Sequence, residues 1–348
     1  MKECWVTEPL HFEMRETEIP EPKDNEVQIK MMAAGVCGSD IHIYKGENPN
    51  SRYPLIPGHE NVGLVTKVGA DCKNIKVGDH VVIDYVIRCG ECYQCKHGRG
   101  NVCEHVLVRG SGTNGGWREY WCVEEPYVYK IDDSIPWKDA ALIEPLTIGE
   151  HSTSRAGVCE DDVVFILGTG TIGTIIAQAC KLKGAKTVIC CDISDSSLER
   201  SKQFGADYTV NSKTQDIVAE VQKITNGHGC TVAFDSACFP GSLTMIMQPG
   251  IVCNAGRVVP MGFCTVPEKI TQQMINGREH LRHPHEPEPV GPHCTEDGRG
   301  QVSHGRSCNH LRQVQRDRKG LQQHRSSRSG CQEDRYPVRR RRGLTLWP

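Results

Sequence analysis

The sequence lacks any apolar run approaching the roughly 20 residues that a membrane span requires. It opens Met1-Lys2-Glu3-Cys4-Trp5, without the basic segment and apolar stretch of an export signal, so a chain that stays inside the cell is expected. Net charge is also scarce, only -2 over 348 residues, which removes any global electrostatic reason to expect nucleic-acid binding. A hydrophobic content of 38% with 24% charged residues fits a water-soluble chain long enough for two cored domains. Cysteine, by contrast, is plentiful, with nineteen residues. Their spacing resembles metal ligation more than a disulfide framework, which favours a reducing, cytoplasmic setting.

A second absence is local. Residues 280–348 contain no Ala, Ile, Met or Phe, an odd omission for a folded segment of that size. Residues 1–279 hold 27 Lys+Arg against 36 Asp+Glu, a charge of -9, whereas residues 280–348 hold 14 against 7, a charge of +7. Thirteen of those 14 basic residues are Arg. The seam falls at Glu279.

Up to residue 150 the chain is rich in short strand-like runs punctuated by Gly and Pro, among them Val27–Met31, Asn61–Val68 and His80–Ile83. From Asp161 the texture alternates. The apolar runs Val163–Leu167, Thr187–Cys191, Tyr208–Val210, Thr231–Phe234 and Arg257–Met261 read as strands, with helix-like Ile172–Lys183 and Ser197–Phe204 between them. Such alternation predicts an α/β, doubly wound parallel sheet behind a β-rich domain.

Three constellations carry chemistry. In Cys89-x2-Cys92-x2-Cys95-x7-Cys103, four thiolates stand close enough to enclose one Zn2+ tetrahedrally with no open position, a structural site. A second set is dispersed. Gly35-Val-Cys37-Gly-Ser39-Asp40-Ile-His42 is followed by Gly58-His59-Glu60-x2-Gly63-x5-Gly69-x2-Cys72 and by Leu142-Ile-Glu144-Pro145. Cys37 and His59 with a carboxylate from Glu60 or Glu144 make the three-ligand set of a catalytic zinc, which lowers the pKa of an alcohol so that its proton leaves near neutrality. The third is Gly168-Thr-Gly170-Thr171-Ile172-Gly173, which follows a strand and opens a helix. Its glycines allow a tight turn, close approach of a pyrophosphate and close helix–strand packing, and the helix N-terminus offers unpaired N–H groups to phosphate. Asp192, 24 residues after Gly168, ends the next strand and can accept ribose hydroxyls. That favours NAD over NADP, whose 2′-phosphate it would repel, and Ile193 carries no charge to offset the repulsion.

Together these elements resemble the zinc-dependent medium-chain dehydrogenase/reductase (alcohol dehydrogenase) family, in particular its sorbitol, threonine and sugar-acid dehydrogenase branch. The resemblance runs from residue 1 to about 279 and includes Ala141-Leu-Ile-Glu-Pro145 and Val258-Val-Pro-Met-Gly262. It implies a GroES-like catalytic domain over 1–150, a Rossmann domain over 151–279, two Zn2+ per chain, and hydride transfer from a secondary alcohol, polyol or sugar acid to NAD+. It implies further that Cys37 and His59 ligate the catalytic zinc with Glu60 or Glu144, and that Asp40 orients His59. Ser39 and His42 would relay the proton, and the intact protein would be a homodimer or homotetramer. Arg52, in the Asn48–Tyr53 segment, is a candidate partner for a substrate carboxylate.

After Glu279 the family pattern ends, where a sixth Rossmann strand and a return to the catalytic domain belong. The expectation is a lost sixth strand, a tail over 280–348 that is disordered or non-native, and impaired catalysis in a chain that keeps its zinc and NAD motifs. The Arg339–Arg342 run is basic, but Arg almost without Lys resembles an accident of codons rather than selected nucleic-acid binding. The codons of His280–Gly291 read one base later permit Ile-Ser-Gly-Thr-Arg-Met-Asn-Pro-Asn-Gln-Trp, a strand and turn of the family type. Sequencing the gene should therefore reveal one inserted or deleted base near codon 280 whose reversal restores an apolar C-terminus. A gene in which no single-base change does so refutes the frameshift.

Overall fold

The computed structural model describes residues 1–262, 266–275 and 279–280, so the expectation of a disordered or non-native tail lies outside the described residues from 281 onward. The N-terminal half consists of β1 (Lys2–Glu8), β2 (His11–Glu16), β3 (Glu26–Ala34), α1 (Gly38–Lys45), β4 (Asn61–Val68), β5 (His80–Ile83), β6 (Val86–Ile87), α2 (Tyr93–Lys96), β7 (Leu107–Val108), β8 (Tyr120–Glu124), β9 (Val128–Lys130) and α3 (Trp137–Ala140). Strands β8-β3-β4-β5-β9 form an antiparallel sheet, with β1-β2 and β6-β7 as separate hairpin-like pairs. One core joins them: Val27 and Ile29 from β3, Val65 from β4, Val81 and Ile83 from β5, and Trp121 and Val123 from β8. The alternate spacing of these residues sends them to one face, as a period of two requires.

Helix α4 (Ile143–Arg155) leads into β10 (Val163–Leu167), α5 (Thr171–Leu182), β11 (Thr187–Asp192), α6 (Asp195–Gln203), β12 (Tyr208–Asn211), α7 (Ile217–Ile224), β13 (Cys230–Asp235), α8 (Ser242–Ile246), β14 (Val252–Pro260), α9 (Gln272–Ile275) and β15 (Glu279–His280). The sheet order β12-β11-β10-β13-β14-β15, all parallel, is the 3-2-1-4-5-6 order of a dinucleotide fold. Val164, Ile166, Val188, Cys190, Val232 and Phe234 pack on one face, and Phe165, Leu167, Ile189, Cys191, Val210 and Ala233 on the other. Both faces are covered, which explains the continuous apolar runs.

Two expectations are adjusted. The domain boundary drawn at residue 150 falls inside α4, whose Gly149 lets Ile175 of α5 approach where a Cβ would collide. The sixth strand is expected to be missing, yet among the described residues two take its place: Arg257 pairs with Glu279 and Val258 with His280. Parallel pairing uses backbone N–H and C=O, which these two residues supply whatever their side chains.

One ion pair ties the sheet together at its N-terminal end. The Asp162 carboxylate, 4% exposed, pairs with the guanidinium of Arg257 on β14, accepts the Thr231 hydroxyl of β13 at 2.6 Å and accepts the Cys159 N–H at 2.9 Å. Arg257 also donates to the carbonyls of Ala156 and Gly157. Arg257→Ala strands a buried carboxylate and should lower unfolding stability by about 3 kcal/mol, read in urea as a lower midpoint at unchanged m-value. A midpoint equal to that of the parent would show that the pair contributes nothing.

Candidate metal and cofactor sites

The lobe from Val86 to Val108 has almost no core, since Cys103 is its single buried residue. Its four cysteines converge instead. The sulfurs of Cys89 and Cys95 lie 4.0 Å apart, those of Cys92 and Cys103 3.8 Å apart, and all four lie within 4.8 Å of one another. Sulfurs placed about 2.3 Å from a central ion form a tetrahedron with edges of about 3.8 Å. Backbone N–H groups surround them: Glu91 and Cys92 donate to Cys89, Cys95 donates to Cys92, and Cys89 and His105 donate to Cys103, at 3.3–3.5 Å. Backbone donors at Cys95 and Glu104 pull the Cys92 thiol down to about 6, while desolvation and neighbouring thiolates push Cys95 up to about 12. Four thiolates cannot coexist there without a cation, and the donor set suits Zn2+.

The second constellation assembles around the start of α1. Cys37 precedes the helix, and Asp40 in its first turn accepts the Cys37 N–H at 2.9 Å. The Gly35 N–H donates to the Glu60 carbonyl at 2.8 Å, which lays the 58–60 segment beside Cys37. A Cβ at Gly35 would overlap the Glu60 carboxylate, so the Gly-framed pattern reflects a physical vacancy that only glycine provides. The ligand atoms of Cys37, His59 and Glu60 all lie within 4.8 Å of one another. Glu144, in the first turn of α4 and 8% exposed, stands next to this set without being part of it. Cys72, which closes the sequence pattern, is elsewhere, its thiol directed at the Glu26 carbonyl at 3.4 Å. Arg52 is exposed.

The electrostatics of this site are unbalanced. Burial opposes a charge on His59, yet the Cys37 sulfur and the Asp40 carboxylate push the imidazole up to about 9. Burial raises Glu144 to about 7, with His59 pulling the other way and Glu60, Asp40 and Asp84 adding repulsion. Burial likewise raises Glu60 and Asp40. Asp40 Oδ1 sits 3.7 Å from His59 Nδ1, buried and without a hydrogen bond. The combination of soft sulfur, imidazole and carboxylate, crowded and short of positive charge, fits a divalent ion such as Zn2+.

Ser39 and His42 share α1, but no hydrogen bond joins them among the described residues. Ser39 lies close enough to the Cys37 sulfur to lower its pKa, and the His42 ring pairs with Glu47 at 2.7 Å on the exposed side. Sequence reasoning missed Tyr85, whose ring centroid lies 5.5 Å from that of His59. Its only signal was a position four residues ahead of Cys89.

At the nucleotide motif, Gly168 adopts φ +86°, and a Cβ there would crowd Ala237. A Cβ on Gly173 would overlap the Gly168 carbonyl, whereas Gly170 faces open space. Gly170 precedes α5, whose first residues Thr171 and Ile172 present their N–H groups at its N-terminus. That cradle, open at Gly170, fits a pyrophosphate. Asp192 ends β11 beside the turn, and Ile193 is 57% exposed. Gly35→Ala should displace the Glu60 carboxylate and, by elemental analysis, lower whatever zinc binds at Cys37 and His59 while sparing any bound by the four-cysteine lobe. Undiminished metal content would show that Glu60 is not needed there.

The geometry has counterparts in known proteins. The model of the alcohol dehydrogenase GroES-like domain matches residues 23–133, and that of the zinc-binding dehydrogenase domain matches residues 171–282. The starvation-sensing protein RspB of Escherichia coli K12 is 37% identical over 280 residues, covering 80% of this chain and 81% of that protein. The sorbitol dehydrogenase of Bacillus subtilis is 34% identical over 248 residues, 70% of each chain. The crystal structure of the RspB alcohol dehydrogenase from E. coli CFT073, complexed with NADH, superposes with a TM-score of 0.75 at 36% identity, covering 80% of this chain and 82% of that one. With these matches over a GroES-like β domain and a six-stranded Rossmann sheet, the chain belongs to the zinc-type medium-chain alcohol dehydrogenase family.

Proposed function

We propose that this chain is built for zinc-dependent, NAD-linked oxidation of a secondary alcohol, of the polyol or sugar-acid class, to a ketone. The observation that carries this reading is the compact set of Cys37, His59 and Glu60, with Glu144 buried beside it. The resemblance to sorbitol dehydrogenase supports the substrate class, and the NADH in the RspB structure together with Asp192 supports the nucleotide. Cysteines without disulfides among the described residues suit a cytoplasmic setting.

Zinc, when bound, supplies the Lewis acidity that lets an alcohol lose its proton, and NAD+ accepts the hydride. Cys37, His59 and Glu60 would hold that ion, with Glu144 the alternative carboxylate. Asp40, with Oδ1 3.7 Å from His59 Nδ1, is placed to orient that ring, as carboxylate partners of ligand histidines do. Ser39, close to the Cys37 sulfur, is the nearest hydroxyl on α1 to take the substrate proton, and His42 at the exposed side of α1 is the outlet toward solvent. The glycine turn and the start of α5 seat the pyrophosphate, and the four-cysteine lobe keeps its zinc for structure alone.

A second reading is favoured by the reach of the resemblance, which covers 80% of the chain against RspB, and by the change of composition after Glu279. On that reading the chain binds zinc and NAD but turns over slowly, because the sequence after Glu279 lacks the apolar pattern from which the family's sixth strand and return segment are built. Assays on polyols and aldonates should therefore show weak, chelator-sensitive reduction of NAD+ in preference to NADP+, and a faster rate in a frame-restored chain. A family-typical rate from the present chain would remove the impaired reading, and turnover indifferent to chelator would remove the zinc reading. Glu60→Gln and Glu144→Gln, compared for zinc content, identify the third ligand as the one whose loss empties the open site.

A further inference from the structure

Asp192 is not a free carboxylate in this fold. Its Oδ2 accepts the Thr169 N–H at 2.7 Å and the Thr169 hydroxyl at 3.0 Å, and its Oδ1 accepts the Ser194 N–H at 2.9 Å. Thr169 lies between the first two glycines of the nucleotide turn and is 0% exposed. Its own backbone is pinned in turn: its carbonyl accepts the Thr174 hydroxyl at 3.2 Å, and the preceding Gly168 N–H donates to the Cys191 carbonyl at 2.8 Å. The turn that would seat the pyrophosphate and the acid that would meet the ribose are thus joined by one buried side chain.

We propose that Thr169 is a positioning residue for nucleotide discrimination, its hydroxyl and N–H locking the Asp192 carboxylate in the one orientation that accepts a ribose hydroxyl and opposes a 2′-phosphate. The inference rests on the reading of Asp192 as the NAD-selecting acid. The Thr169 and Ser194 N–H groups hold one carboxylate oxygen each, and the Thr169 hydroxyl adds a second donor to Oδ2, narrowing the swing that the two backbone bonds leave. Preorganisation acts on both nucleotides in opposite senses. The ribose hydroxyls of NADH meet an acceptor already aimed, without the entropy cost of ordering it. The 2′-phosphate of NADPH meets a charge that cannot swing aside. Three donors within the chain occupy most of the acceptor capacity of the carboxylate, so the direction that remains is the one left to the ligand. Because Thr169 is fully buried, its hydroxyl has no access to water, and Asp192 is its acceptor.

The test is calorimetric titration of the full chain with NADH and with NADPH, which needs neither turnover nor bound zinc. Thr169→Val keeps the branched shape and removes the hydroxyl, Thr169→Ser keeps the hydroxyl, and Asp192→Asn removes the charge. The ratio of the two dissociation constants should narrow by roughly tenfold in T169V, the value of one hydrogen bond to a charged group, and return to within about twofold of the parent in T169S. In the D192N background, T169V should leave the ratio unchanged. Should T169V fail to fold, T169A removes the same hydroxyl with less bulk and serves as the same test. A parent preference for NADH that survives T169V intact overturns the proposal alone, as does an equal effect of T169V with and without Asp192. A parent chain with equal affinities for the two nucleotides overturns the reading of Asp192 and the proposal with it.

Discussion

Cys37, Asp40, Glu60 and Glu144 are gathered around a single imidazole in a partly buried space, and groups of one sign held that close call for a cation or for protons to balance them. Much of the surrounding backbone is arranged to satisfy that condition. The Gly35–Glu60 hydrogen bond draws two distant segments together, and the missing Cβ of Gly35 leaves the volume that the Glu60 carboxylate fills. Gly58, at φ +93°, turns the chain against Trp117 so that His59 and Glu60 follow at the right place. Asp40 accepts the Cys37 N–H and stands 3.7 Å from His59 Nδ1, so the first turn of α1 serves as scaffold for both candidate ligands.

The same principle, close approach bought with glycine, recurs in the nucleotide domain. Gly168 lies against Ala237, Gly173 against the Gly168 carbonyl, and Gly149 against Ile175, so that turn, helix and strand meet at distances other residues forbid. The four-cysteine lobe solves the opposite problem. It has no apolar interior to hold its short elements, and converging sulfurs replace one.

The strands Asn61–Val68, His80–Ile83 and Val163–Leu167 were legible to the residue because each is a β-branched run closed by Gly, Asp or another turn former. The Cys89–Cys103 lobe was legible because its ligands lie within one short loop, where spacing alone limits geometry. Glu60 and Glu144 were not separable, since they are 84 positions apart in the chain and either can reach a shared ion in some packing. Tyr85 and Thr169 carried no signal of their roles: one depends on a ring contact across the site, the other on a hydrogen bond between a turn and the following strand.

The order of residues by itself determined which segments become strands, where the turn for a pyrophosphate falls, and that four sulfurs would meet, because all three follow from local backbone preference and short loop closure. Only the tertiary structure decided that Glu60 lies within ligand distance of Cys37 and His59, that Glu279–His280 still pairs with β14, and that Asp192 is held by Thr169. These depend on contacts between segments far apart in the chain, where packing of whole sheets and helices, rather than any neighbouring residue, sets the distance.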